Sequence, residues 1–189
     1  MRKIVMANWV SIDGFFAGPN GEIDWIVRDP EVDKAWHEIG DMQADTLLSG
    51  RLSYQGFESF WPQVAKDPNA PEPMRKLADE MNQLTKVVFS KTLKEVTWEN
   101  SKLLHGNLIE EVKKLKQGSG ASIVIFGSGT IVQQLSNEGL IDEYVLTVTP
   151  VVLGTGKPLF KDVKKLDLKL LGTRSFNSGN VLLRYALAG

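Results

Sequence analysis

Ser122-Ile123-Val124-Ile125-Phe126-Gly127-Ser128-Gly129-Thr130 is the stretch on which the fold turns. Its first half is short, β-branched and continuously apolar, the pattern of a strand buried on both faces rather than half in water. Gly-Ser-Gly punctuates the run, and a helix is predicted over Thr130–Glu138. A strand covered on both faces needs helices on both faces. The stretch therefore predicts a three-layer α/β architecture around a mostly parallel sheet.

The same alternation extends in both directions. Lys3 to Ser11 reads as a buried first strand, and Ile12 to Trp25, with Gly14, Gly18, Pro19, Asn20 and Gly21, as a long turn-rich loop, functional or mobile. From Pro30, at a first-turn position, Val32, Ala35, Trp36, Ile39 and Met42 recur at helical spacing. Strand Thr46–Ser49 precedes a helix over Leu52–Phe60, and Pro62–Pro73, with four of the eight prolines, reads as a surface loop. Met74, Leu77, Ala78 and Met81 predict the next helix, Lys86–Ser90 a strand and Leu108–Gln117 another helix. Glu143–Pro150 is a further strand, and Leu166–Ser175 with Val181–Leu187 a C-terminal antiparallel hairpin.

Composition narrows the chemistry. The 189 residues suit a single domain over 1–189, at roughly 150 residues per domain. Twenty-two basic against 23 acidic side chains give a net charge of −1, which argues against nucleic-acid or membrane partners. Zero cysteines exclude a disulfide framework and a thiol nucleophile, and two histidines, His37 and His105, give no metal site. The apolar start breaks at Asn8, too early for a signal-peptide core, so a soluble cytoplasmic protein is expected.

Two strand-to-helix junctions carry small residues: Ser49-Gly50-Arg51-Leu52-Ser53 and Phe126-Gly127-Ser128-Gly129-Thr130. Free N–H groups and a positive dipole end suit phosphate at such a junction, and glycine removes the Cβ that would hold it off. Arg51 adds a bidentate fork. A third strand end, Phe89-Ser90-Lys91-Thr92, offers two hydroxyls and an ammonium. Each junction alone is equally a tight turn with a cap. Three of them at one edge of an open sheet favour a single extended phosphorylated ligand.

Known signatures fail: Val132 stands where a dinucleotide fingerprint needs glycine, Val151 and Pro158 spoil a Walker loop, and Phe126 and Thr130 a nucleophile elbow. His37 reads as solvated and His105 as a loop residue. Asp13, Asp29 and Glu31 are proton-donor candidates, each also explicable as a turn or cap residue. Trp9 and Trp25 flank the long loop and could wall a pocket for a heterocycle, with Trp36 on the core face of its helix.

Taken in order, Val10-Ser11-Ile12-Asp13-Gly14-Phe15-Phe16-Ala17, Leu48-Ser49-Gly50-Arg51-Leu52-Ser53-Tyr54, Val88-Phe89-Ser90-Lys91-Thr92-Leu93, Ile125–Gly129, Gly139–Glu143 and Pro150–Phe160 resemble the dihydrofolate reductase-like superfamily. The branch is the one containing the C-terminal reductase domain of the riboflavin-biosynthesis deaminase/reductase. The resemblance implies an NADPH-dependent reductase, commonly a homodimer. It places Gly50, Arg51 and Ser53 at the phosphates, Ser90 and Lys91 at the adenosine 2′-phosphate, and Gly127, Ser128, Gly129 and Thr130 at the pyrophosphate. Phe16 and Ala17 would neighbour the nicotinamide, Tyr54 would join Trp9 and Trp25 at the substrate, and Gly18–Trp25 would be the active-site loop. Ser53 replaces a usual Thr, Lys91 a frequent Arg, and Pro30 falls near the first-helix acid of dihydrofolate reductases, with Asp29 and Glu31 beside it. The expected function is hydride transfer to a small pteridine- or ribosylaminopyrimidine-like ring. The alternative is a non-catalytic nucleotide-binding module of the same fold.

Overall fold

The computed structural model describes residues 1–39 and 42–188. In chain order the elements are β1 (Ile4–Ser11), β2 (Phe15–Ala17), α1 (Pro30–His37), β3 (Ala44–Gly50), α2 (Arg51–Lys66), α3 (Glu72–Gln83), β4 (Thr85–Phe89), β5 (Ser101–Leu104), α4 (Leu108–Gln117), β6 (Ser122–Phe126), α5 (Gly129–Asn137), β7 (Glu143–Thr149), β8 (Lys157–Pro158), β9 (Leu168–Ser175) and β10 (Val181–Leu187). Eight strands form one sheet in the order β5-β4-β3-β6-β1-β7-β10-β9. The pairs from β5 to β7 are parallel, and β10 runs antiparallel to both β7 and β9. This is the expected mostly parallel sheet closed by an antiparallel hairpin.

Alternation along the strands sorts side chains to two faces. Ile4, Met6 and Val10 of β1 pack with Val112 of α4 and Ile131, Val132 and Leu135 of α5. Val5, Ala7 and Trp9 face the other way, onto Val32 and Ala35 of α1. On that same side Leu47, Val88 and Val124 meet Tyr54 of α2 and Met81 of α3. The result is three layers.

Three differences from the sequence reading have physical causes. The proline-rich segment is shorter as a loop than expected, because α2 continues through Pro62 to Lys66 and α3 begins at Glu72. Phe57 and Trp61 pack against the core before the proline, and that burial outweighs the backbone bond Pro62 cannot donate. The segment after β1 is also not loop throughout: β2 pairs with β8, and Leu159 N–H donates to Gly14 O at 3.1 Å. Finally, β5 is a four-residue edge strand too short and too mixed to announce itself.

Lys86 is fully buried in β4. Its Nζ donates to Asn82 O at 2.7 Å and Met81 O at 3.4 Å, and lies 4.2 Å from the centroid of Trp98. Burial lowers its pKa to about 8, opposed by Glu99. Between that value and the ordinary lysine range, the unfolded chain holds a proton that the folded chain has released. Stability should therefore rise with pH in this window, by at most about 1.4 kcal/mol per pH unit. Thermal melts from pH 8 upward should show the rise in wild type and not in Lys86→Met; a flat wild-type profile would contradict it.

Candidate functional site

A cleft of about 2300 Å³ opens where the C-terminal ends of β1, β3, β4 and β6 meet. Its first wall is built from the junctions. Gly127 and Ser128 both adopt left-handed backbone, at φ 64° and 55°. That turn lets Ser128 Oγ accept the Gly50 N–H at 3.0 Å while its own N–H donates to Ser53 Oγ at 2.9 Å. Gly127 N–H donates to Asn8 Oδ1 at 2.7 Å, which ties in β1. The serines thus lock β3, α2 and β6 together, and each hydroxyl keeps its proton for a ligand oxygen. No side chain caps the first turn of α2 or α5, so those N–H groups face the cleft as dipole ends. A Cβ on Gly129 would sit 2.6 Å from the Phe16 ring, so a larger residue there would have to displace that ring from the cleft wall.

Ser90 caps its own turn, its oxygen accepting from Leu93 N–H at 2.9 Å and Thr92 N–H at 3.2 Å. His105 Nδ1 lies 2.6 Å from Ser90 O. Since a carbonyl only accepts, Nδ1 is the nitrogen that carries the proton. Phe16, Ala17, Gly50, Arg51, Ser53, Ser90, Lys91, Gly127, Ser128, Gly129 and Thr130 all line this one cleft. Residues drawn from separate stretches of chain converge.

The second wall is aromatic. Trp36 stacks on Phe126 at 5.8 Å with 2° between planes, and Trp9 tilts against Trp36 at 5.9 Å. Trp36 is fixed by its indole N–H, which donates to Thr147 Oγ1 at 3.0 Å. The Arg28 guanidinium lies over Trp9, 5.6 Å from the ring centre.

Trp25 and Tyr54 fall outside the cleft. The Trp25 indole is turned back onto Glu22 O at 3.0 Å. Tyr54 is 1% exposed; its hydroxyl accepts from Trp98 N–H at 2.9 Å and donates to Glu58 at 2.8 Å. It is a core residue, and a substrate role for it is corrected.

The carboxylates sort equally clearly. Asp13 also lies outside the cleft. It accepts from Gly154 N–H at 2.7 Å and Leu153 N–H at 3.1 Å, pinning the end of β1 to the segment before β8. Glu31 is exposed on the first turn of α1 and does not line the cleft. Asp29 does line it, but caps α1 through Glu31 N–H at 2.9 Å. The Ser178 hydroxyl, then Glu31 N–H, hold its carboxyl below the usual value, in the ionised form.

Asp33, which the sequence pairs with Glu31 as a helix-start carboxylate and does not single out as a donor, lies one turn further along α1 and in the cleft wall. Burial pushes its pKa up, opposed chiefly by Arg28 and then by His37. The helical spacing already held the signal: Asp33 follows Val32 and precedes Trp36, at the edge of the apolar stripe rather than opposite it. Among the described residues no cluster of His, Asp and Glu could hold a metal ion, and no helix is long and apolar enough to cross a membrane.

The mostly parallel eight-stranded sheet, closed by an antiparallel hairpin and with a cleft at its strand ends, has the dihydrofolate reductase-like fold. Residues 2–182 match the family described as the RibD C-terminal domain, and the chain belongs to that family. It is 38% identical over 185 residues to the "Uncharacterized protein YyaP" of Bacillus subtilis (strain 168), covering 97% of this chain and 94% of that one. Among solved structures, a putative riboflavin biosynthesis protein from Shewanella sp. PV-4 superposes with a TM-score of 0.76 at 24% identity, covering 100% of both chains. Dihydrofolate reductase from Enterococcus faecalis, complexed with NADP(H), gives a TM-score of 0.66 at 15% identity, over 99% of this chain and 97% of that one. Those structures establish the shared fold.

Proposed function

We propose that the protein is an NADPH-dependent reductase that transfers a hydride to a small heterocycle of pteridine or ribosylaminopyrimidine type. The observation that carries this reading is one cleft with two unlike walls. One wall presents two uncapped helix N-termini with Arg51 and Lys91; the other is a stack of aromatic rings. A phosphorylated dinucleotide fits the first and a flat ring the second. The Shewanella protein's link to riboflavin biosynthesis and the NADP(H) held by the Enterococcus enzyme support the same reading.

Gly50, Arg51, Ser53 and Gly127 to Thr130 would hold the phosphates, and Lys91 with Ser90 the adenosine 2′-phosphate. When bound, NADPH supplies the hydride. The chain's own contribution is to position the two rings, exclude water and deliver a proton. Asp33 would deliver that proton, because its carboxyl stays protonated to higher pH than usual and lines the cleft that the aromatic wall encloses. A proton donor at Asp33 would favour this reading over the non-catalytic nucleotide-binding module. The reading includes a cytoplasmic homodimer acting on a small molecule, without nucleic acid or membrane; the edge strand β9 exposes Leu168, Leu170 and Leu171 to a second copy.

Fluorescence titration tests it. Arg51→Ala should raise the NADPH Kd by about 10- to 100-fold, the worth of a charge-assisted hydrogen bond. Lys91→Ala should erase a preference for NADPH over NADH. Wild-type NADPH affinity in Arg51→Ala would refute the assignment.

A further inference from the structure

Most of the charged groups in the cleft are already engaged. Asp45 is paired with Arg2, and Lys157 acts on Glu22 of the loop before α1. Glu80 of α3 faces His37 of α1, with 3.8 Å between Oε2 and Nε2 and both side chains largely in water. Asp29 is taken by the cap of α1 and by the Ser178 hydroxyl. Burial favours the neutral carboxyl at Asp33, the form in which it would deliver a proton. Arg51 and Lys91 stand on the phosphate-suited wall.

Arg28 is the exception on the side of the aromatic wall. Among the described residues no hydrogen bond or salt bridge engages its guanidinium. Asp33 acts on it only at longer range, and Trp9 takes one face of it at 5.6 Å. The side chain is exposed in the cleft, while the protein around it already strips away part of its water. Five N–H donors on a planar, always charged fork are thus left for a ligand. Trp9 holds that fork at the end of the Trp9–Trp36–Phe126 array, so less freedom is lost when an anion docks. A guanidinium placed in this way answers a carboxylate or phosphate with two parallel hydrogen bonds.

We infer that Arg28 selects the acceptor: its guanidinium binds a carboxylate or phosphate group borne by a flat ring that lies against Trp9 and Trp36. This deepens the reductase reading and rests on it. The nearby carboxylates do not cancel the attraction. Asp33 is neutral in the acid form that burial favours, and Asp29 is offset by the N-terminus of α1. Glu80 is screened by water and faces His37. The anion on the acceptor therefore meets one guanidinium, and the cofactor's phosphates meet Arg51 and Lys91 at the other wall.

Two pairs of fluorescent probes test it, with NADP⁺ present to fill the phosphate-suited wall. Riboflavin and riboflavin 5′-phosphate differ by a phosphate, and 6-methylpterin and pterin-6-carboxylate by a carboxylate. In at least one pair the anionic member should bind about tenfold or more tightly than its neutral twin, the range of a charge-assisted hydrogen bond. A gap in the flavins identifies phosphate, and a gap in the pterins carboxylate. Arg28→Gln should close the gap by weakening the anionic member alone. Arg28→Lys, which keeps the charge and loses the fork, should retain part of it. No gap in either wild-type pair, or a gap that survives in Arg28→Gln, would overturn the inference. NADPH titration of the same samples separates the two layers, and unchanged NADPH affinity in Arg28→Gln shows that the variant is folded. Absent NADPH binding in wild type counts against the reductase reading, whereas NADPH binding without an Arg28-dependent gap counts against the Arg28 assignment alone.

Discussion

Asp33→Asn should lower turnover of a dihydropteridine or ribosylaminopyrimidine acceptor by about 10²- to 10⁴-fold, the range of a positioned general acid, with NADPH affinity unchanged. Burial favours the neutral carboxyl, and Arg28 opposes without cancelling this. The acid acts in its protonated form. Wild-type rate should therefore fall as pH rises through the elevated pKa, and the asparagine variant should lose that limb of the profile. NADPH consumption followed across pH provides the measurement. A variant with normal turnover, or one retaining the wild-type limb, would remove Asp33 from proton delivery. Asp29, one turn earlier, is held ionised by Ser178 and Glu31, so Asp29→Ala should affect helix capping rather than the pH profile.

The largest structural effect is expected at Gly156. A Cβ there would lie 2.5 Å from the carbonyl oxygen of Ala17 and 3.1 Å from Cγ of Phe15. The first of these is backbone and cannot rotate away. Gly156→Val should force β8 off β2, at a cost of about 1–3 kcal/mol in denaturant unfolding. It should also release Phe16 and Ala17 from the cleft wall, weakening NADPH binding by about tenfold or more. Wild-type stability together with wild-type affinity would show that the β2–β8 pair does not shape the site. Asp13 reinforces the same anchor from the end of β1, where hydrogen bonding, first from the Ser11 hydroxyl and then from Gly154 and Leu153 N–H, lowers its pKa.

Much of this was legible in the sequence, for reasons that can be named. The run Ile123–Ile125 is buried on both faces, and its neighbours carry the same signature, so the layer architecture followed from apolar continuity. The phosphate-suited wall was legible because each strand end carries a hydroxyl together with a glycine, a cation or both, and the parallel sheet brings those ends to one side. What the sequence concealed depends on orientation in space. Tyr54 sits four residues after Gly50, yet the turn of α2 directs it into the core against Trp98 rather than into the cleft. Trp25 and Trp9 flank the same loop, and only Trp9 lines the cleft, because the Trp25 indole is recruited by Glu22. Asp13, Asp29 and Glu31 stood out through their place beside glycine and proline, where local capping is the main use of a carboxylate. Asp33 has no glycine or proline beside it, and its place at the edge of the apolar stripe of α1 is a fainter signal; its environment is assembled by β1, α1 and the Arg28 side chain together.

A reduced nicotinamide dinucleotide seated in the cleft would lie against an aromatic wall containing Trp9 and Trp36. Titrating NADPH while following energy transfer from the protein's tryptophans to the dihydronicotinamide tests it most directly. A saturable transfer signal is expected, one that NADP⁺ displaces and that Arg51→Ala shifts to higher concentration. A signal that never saturates, with no rise in Tm on adding NADPH, would contradict it.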